Sequence, residues 1–264
     1  MASVRPRAPW FAQGITYFAF LLLYLPLAVL VVYSFIGPLD PVTGMKPWSL
    51  HWYSKAFSNR LVLDSLNMSL WVGLWSMLGA TVLGTMAALA LQRTRFPGRK
   101  VFDALIHVPL IMPEIVLGLA LLIWFVLLRI TLGSFSIILS HITFSMSYVI
   151  ITVMARLEGF DRSLEEAARD LGASPSQVFI KVTLPLIWPG ILSGALMAFT
   201  LSFDDFLITF FTAGVGSDTL PLKIYSMIKF GVTPEINALS TVMLIATFFL
   251  VLVFFRPSNE GSKR

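Results

Sequence analysis

Three carboxylates stand within apolar stretches of this chain: Glu114, Asp204 and Asp205. A carboxylate at the centre of a membrane helix costs at least ~2.5–3.5 kcal/mol on insertion scales, so it normally faces a partner or a water-filled path. Glu114 directly follows Pro113, which interrupts the helical hydrogen-bond ladder and opens backbone to the interior. It lies about ten residues into the third apolar run, ~15 Å at the helical rise. Asp204 and Asp205 are adjacent, hence ~100° apart on a helix, and need not serve one face. Acids so placed replace the hydration that a cation loses, and Phe203, Tyr148 and Tyr225 can add cation–π contacts. The chemistry expected is a path for a cationic solute. The structural alternative is a carboxylate that caps a broken helix at Pro113 or pairs with a partner subunit's arginine.

No catalytic constellation emerges. Gly79 and Gly84 have the spacing of a phosphate-binding loop, but Thr85 stands where lysine is required, so no ATP is expected to bind by that route. His51, His107 and His141 are far apart and form no metalloprotease pattern. With no cysteine there is no disulfide framework, thiolate metal site or cysteine nucleophile. Neither a catalytic residue, a metal nor a cofactor is expected in this chain.

The elements that hold these acids follow from composition. Of 264 residues 57% are hydrophobic and 12% charged, with mean hydropathy +0.83. Soluble domains carry roughly 25% charged residues, so this is a membrane protein. Six apolar runs, about 15–36, 66–91, 101–128, 135–155, 186–211 and 236–255, are each long enough to cross ~30 Å of hydrocarbon. The first is longer than a signal-peptide core and lacks a convincing cleavage site, so it reads as an uncleaved helix bent at Pro26. The expected fold is an all-α polytopic bundle of six transmembrane helices in one domain, 1–264. Ala80, Gly84 and Ala88, and again Gly190, Gly194 and Ala198, form small-residue ridges for close helix contact. Trp48, Trp52 and Tyr53 suit a membrane interface. Thirteen of the 19 lysines and arginines fall on the side that also carries both chain ends, which makes that side cytoplasmic. Asp103 sits there beside Arg99 and Lys100, as a helix N-terminal charge.

The longest polar interruption in the second half, residues 163–185, reads as two short helices. Ser163 and Glu166 have the spacing of a capping box, Gly172 supplies a stop, and Ser174, Pro175 and Gln177 repeat the start signal. Leu164, Ala167, Ala168 and Leu171 form one shallow apolar stripe, suited to another protein's groove or to an amphipathic connector lying against its own bundle or the headgroups.

This stretch resembles the EAA loop of ABC importer permeases: Glu166-Ala167-Ala168, three residues, Gly172, nine residues, then Val182-Thr183-Leu184-Pro185, with only Val182 departing from the pattern. Residues 140–161, 198–214 and 220–241 are similar to PotC-type spermidine/putrescine (polyamine) permeases. The resemblance implies a type I importer fold in a bacterial cytoplasmic (inner) membrane, with an ATPase subunit dimer, a second and different permease chain and an external polyamine-binding protein as partners. ATP and Mg would then be bound by the ATPase. Lipid surrounds the chain and nucleic acid is not a partner. It further implies that Glu166, Ala167, Ala168 and Gly172, with Leu164 and Leu171, couple the permease to the ATPase by alternating access. Another small solute, or an ion-gradient-driven secondary transporter, is the alternative.

Overall fold

The computed structural model describes residues 10–39, 46–93, 97–159, 161–231 and 233–254. Both chain ends, placed on the cytoplasmic side by the charge count, lie outside the described residues. The described elements are α1 (Trp10–Ser34), α2 (His51–Ser58), α3 (Arg60–Arg93), α4 (Arg99–Ile111), α5 (Glu114–Leu127) and α6 (Ser134–Glu158). After these come α7 (Ser163–Asp170), α8 (Pro175–Val178), a π-helical turn (Phe179–Thr183), α9 (Leu184–Asp204), α10 (Leu207–Thr212), α11 (Leu220–Ile228) and α12 (Pro234–Phe254). Among the described residues the only extended pairing outside these is a single bridge from Ile36 to Trp48.

Among the described residues four helical stretches are long and apolar enough to cross a membrane: α1, α3, α6 and Pro175–Asp204. The third expected run, 101–128, is not one helix. It splits into α4 and α5, which meet at 113°. Proline disfavours helical backbone in the residue before it, and Met112 accordingly turns extended at ψ 133° ahead of Pro113. The fifth expected run, 186–211, also breaks: α9 stops at Asp204, Asp205 is extended, and α10 begins at Leu207. The sixth is helical in α12, whose apolar portion is counted over Pro234–Phe249.

The described chain forms two compact units. One comprises the chain up to Arg60 with Ile224–Ala246, and the other Leu61–Lys223 with the chain from Thr247. In the first unit α2 is tied to the end of α1: Trp52 Nε1 donates to the Ile36 carbonyl at 2.7 Å, and the Ser34 and Tyr53 hydroxyls lie 2.6 Å apart. The buried Glu235 carboxylate meets Lys55 Nζ at 3.3 Å and Asn59 Nδ2 at 3.4 Å.

In the second unit α6 is the centre. Its Val149 is fully buried between the two small-residue ridges. A Cβ added to Gly84 on α3 would stand 2.8 Å from Val149 Cβ, and one on Gly194 of α9 would stand 3.3 Å from Val149 Cα. Gly190 is as close to Arg156, at 2.8 Å from its Cβ. Both ridges therefore act as expected, letting backbones approach where lipid gives no hydrophobic drive for helix association. The core around them joins Ala80, Leu91, Ile150, Val153, Ile187 and Ala198. At the other end of α6, Ser136 Oγ donates to the Thr212 carbonyl at 2.7 Å and pins the last turn of α10.

This packing predicts that Gly84→Ala overpacks the α3–α6 contact and destabilises the unit by about 1–3 kcal/mol. The measurement is the thermal unfolding midpoint of the detergent-purified protein. Gly14→Ala is the control, since a Cβ there meets nothing within 4 Å. Equal midpoints for the two variants would show that α3 and α6 part freely at this point.

Candidate functional site

The coupling stretch forms largely as its residue types require. Gly172 takes φ +84°, its N–H donates to the Arg169 carbonyl at 2.8 Å, and the Ala173 N–H donates to Ala168 at 3.1 Å. That pair of bonds is the Schellman ending, which needs a left-handed residue at this point. Ser174 and Gln177 form the reciprocal capping box, with the Ser174 N–H on Gln177 Oε1 at 2.9 Å and the Gln177 N–H on Ser174 Oγ at 3.4 Å.

The first capping box is different. The position preceding α7 is Arg162, Ser163 already lies in the helix, and its N–H donates to Asp161 Oδ1 at 2.9 Å. This backbone hydrogen bond holds the Asp161 carboxyl below its usual pKa. Asp161, two residues upstream, takes the start role assigned to Ser163.

Leu164, Glu166, Ala167 and Leu171 are exposed and Ala168 is half-buried. Leu171 is 89% exposed. The apolar stripe thus faces away from its own unit, which leaves another protein or the lipid headgroups to cover it. The buried acid of α7 is Glu165.

The intramembrane acids converge where the two helices break. Glu114 opens α5, Asp204 ends α9, and Asp205 bridges α9 and α10; together with Tyr148 of α6 they line a cavity of about 280 Å³. Its described lining holds no lysine or arginine. Leu117, Phe144 and Ile208 form an apolar cluster beneath it, with Tyr148 packed against them.

Two of the predicted residues are elsewhere. Phe203 is buried and stacks on Phe199 at 5.9 Å between ring centroids, outside the cavity lining. One turn of helix separates it from Phe199, whose ring lies against Gly73. Tyr225 belongs to the first unit, where Lys229 Nζ sits 5.0 Å over its ring.

Asp204 and Asp205 have unlike surroundings. Asp205 is 6% exposed in its side chain and closes a buried network. Its Oδ2 accepts the Thr209 N–H at 2.8 Å and the Thr209 hydroxyl at 2.9 Å, while Oδ1 accepts the Ile208 N–H at 3.3 Å. These backbone donors belong to the first turn of α10, which has no carbonyls ahead of it to satisfy them. His141 completes the arrangement: Nε2 lies 3.2 Å from Asp205 Oδ2 and 3.0 Å from Thr209 Oγ1, and Nδ1 lies 2.6 Å from Ser202 Oγ. Asp204, which is exposed, accepts only from Thr247 Oγ1 of α12, at 3.0 and 3.2 Å, among the bonds described.

His141 was passed over for want of a metal pattern, although a histidine inside an apolar run is itself a costly group that requires partners. The arrangement presents carboxylate oxygens to a cavity whose described lining carries no basic side chain. Among the described residues it offers no metal-binding cluster.

Comparison with known proteins bears directly on this geometry. Residues 80–256 match the family described as the binding-protein-dependent transport system inner membrane component. The chain belongs to this family. It is 42% identical over 245 residues to the putrescine transport system permease protein PotI of Escherichia coli strain K12, covering 90% of this chain and 86% of that protein. It is 40% identical over 241 residues to the spermidine/putrescine transport system permease protein PotC of the same strain, covering 91% of each. In fold it is similar to a bacterial ABC transporter involved in import of the acidic polysaccharide alginate, with TM-score 0.72, 18% identity, and 96% of this chain and 97% of that chain covered. The MetNI methionine ABC transporter gives TM-score 0.58 at 19% identity, over 74% of this chain and 91% of that one. The chain is therefore a multi-pass membrane permease of a transport system and not an enzyme.

The contrast between the acids predicts their response to truncation. Asp205→Ala leaves the first-turn amides of α10 and buried His141 unpaired, and lowers stability by about 1–3 kcal/mol. Asp204→Ala, at an exposed carboxylate, stays within about 0.5 kcal/mol. Thermal unfolding of both variants in detergent checks this, and equal midpoints would contradict it.

Proposed function

We propose that the chain is one permease half of an ATP-driven importer for polyamines, in the inner membrane of a bacterium. The observation that carries this reading is the cavity at the two helix breaks, with three carboxylates and no described cation in its lining. A polyamine is a chain of ammonium groups, each needing a replacement for its lost hydration. Asp204 and Glu114, whose carboxylates are exposed, are the groups that meet it; Asp205 shapes the lining, and Tyr148 adds a ring face. The relatives named for putrescine and spermidine/putrescine support the same cargo.

The partners follow from the same reading. A second permease chain completes the path, and an external binding protein delivers the polyamine. A pair of ATPase subunits, carrying ATP and Mg, docks on the exposed stripe of Leu164, Ala167, Ala168 and Leu171, beside Glu166. Gly172 fixes the direction in which α7 presents that stripe. ATP binding closes the ATPases and turns the cavity outward; hydrolysis returns it inward and releases the cargo.

The test is binding-protein-dependent uptake of labelled spermidine and putrescine by the reconstituted complex. Asp204→Asn removes one charge-assisted contact of about 1.5–3 kcal/mol, so the KM for uptake rises roughly tenfold to a hundredfold. ATP hydrolysis and assembly remain at parental levels. Unchanged uptake kinetics would remove Asp204 from the path, and absence of polyamine uptake by the parent complex would remove the cargo.

A further inference from the structure

We propose that Glu165 is a positioning residue for coupling: a latch that ties α7 to the end of α3 and to the π-helical turn leading into α9. The inference rests on the docking of α7 proposed above and adds the residue through which movement of α7 reaches the spans. Glu165 is 9% exposed on a helix whose other residues are exposed or half-buried. Its Oε1 accepts from Arg93 Nη2 and from the Thr183 hydroxyl, and Arg93 Nη2 also donates to Thr183 Oγ1 at 3.2 Å. Arg169 Nη2 stands 3.9 Å from Oε2.

The three partners are drawn from three elements. Arg93 is the last residue of α3, Glu165 lies in α7, and Thr183, fully buried, closes the π-helical turn. A π-helical turn is uncommon and recurs at functional sites. Here it stands where the cytoplasmic stretch becomes the span. Arg162 Nη2 adds a bond to the Gln92 carbonyl at 3.2 Å, again reaching α3.

A buried carboxylate is costly without partners, so this network holds as a unit or opens as a unit. While it holds, a push on the exposed stripe of α7 moves the ends of α3 and α9 with it. Without it, α7 stays attached through the short α8 and shifts without moving the spans.

The chain contains no cysteine, so Leu171→Cys places a single thiol on the docking stripe. In the reconstituted complex we would record crosslinking of that thiol to the ATPase, polyamine uptake and ATP hydrolysis. Glu165→Leu fills the same space without polar contacts; the expected result is an intact crosslink with polyamine taken up per ATP reduced tenfold or more. Thr183→Val, which removes only the hydroxyl, lowers the same ratio at least threefold and serves if Glu165→Leu does not assemble. An unchanged ratio in the assembled variants, with the crosslink present, overturns the latch. Loss of the crosslink in the parent Leu171→Cys chain is a different result: it overturns the docking reading itself.

Discussion

The described second unit depends on how closely three helices approach at Val149. Lipid is as apolar as a leucine side chain, so helices in a membrane associate through packing and hydrogen bonds rather than through exclusion of water. Gly84 and Gly194 supply that packing from opposite sides of α6, and the Cβ distances of 2.8 and 3.3 Å leave little room for any other residue. Once α3 and α9 are set against α6, the rest follows in order. Ser202 is brought within reach of His141, and His141 within reach of Asp205 and Thr209. A looser contact at Val149 would separate those groups by more than a hydrogen bond tolerates.

Broken helices in a membrane require every freed backbone group to find a partner. The two breaks solve this differently. At Met112 and Pro113 the proline has no N–H to satisfy, and Glu114 lies in the first turn of α5, where negative charge is favoured. Between Asp204 and Leu207 there is no proline, and Asp205 receives the exposed amides instead. This is why adjacent aspartates differ in role. One is consumed by the backbone it repairs, and the other is left facing the cavity. The fold itself does not fix the charge of that cavity, since the similar fold of the alginate importer belongs to a transporter of an acidic polysaccharide.

The features legible in sequence were those set by neighbours a few residues away. The small-residue ridges, the break at Pro113, the stop at Gly172 and the box at Ser174 and Gln177 all arise from local geometry. What escaped depends on distant partners. His141 and Asp205 are 64 residues apart, and no periodicity links them. Two adjacent glutamates, Glu165 and Glu166, are equally polar in sequence; Arg93 and Thr183 decide which one turns inward. Ser163 and Asp161 both have cap chemistry, and only the backbone path before α7 selected Asp161. Phe203 and Tyr225 were grouped with the acids for their aromatic character; Phe203 packs on Phe199 instead, and neither ring belongs to the described lining of the cavity.

The buried network around Glu165 and the cavity are joined by one element. α9 runs for 21 residues from Leu184 to Asp204, a length of ~30 Å at the helical rise. Its first residue follows Thr183 of the buried network around Glu165, and its last is the exposed acid of the cavity. A helix packed on α6 along its length transmits displacement from one end to the other, because close-packed interiors shift between arrangements rather than deform continuously. Pro185 and Pro189 both fall in its first two turns, and each lacks a backbone donor. The segment from Gly190 to Asp204 is an uninterrupted rod packed against Val149. A tilt about that contact would shift Asp204 relative to Glu114 on α5. In the coupling proposed above, the glycine contact at Val149 is the fulcrum and the helix end at Asp204 is where displacement of α7 would be felt.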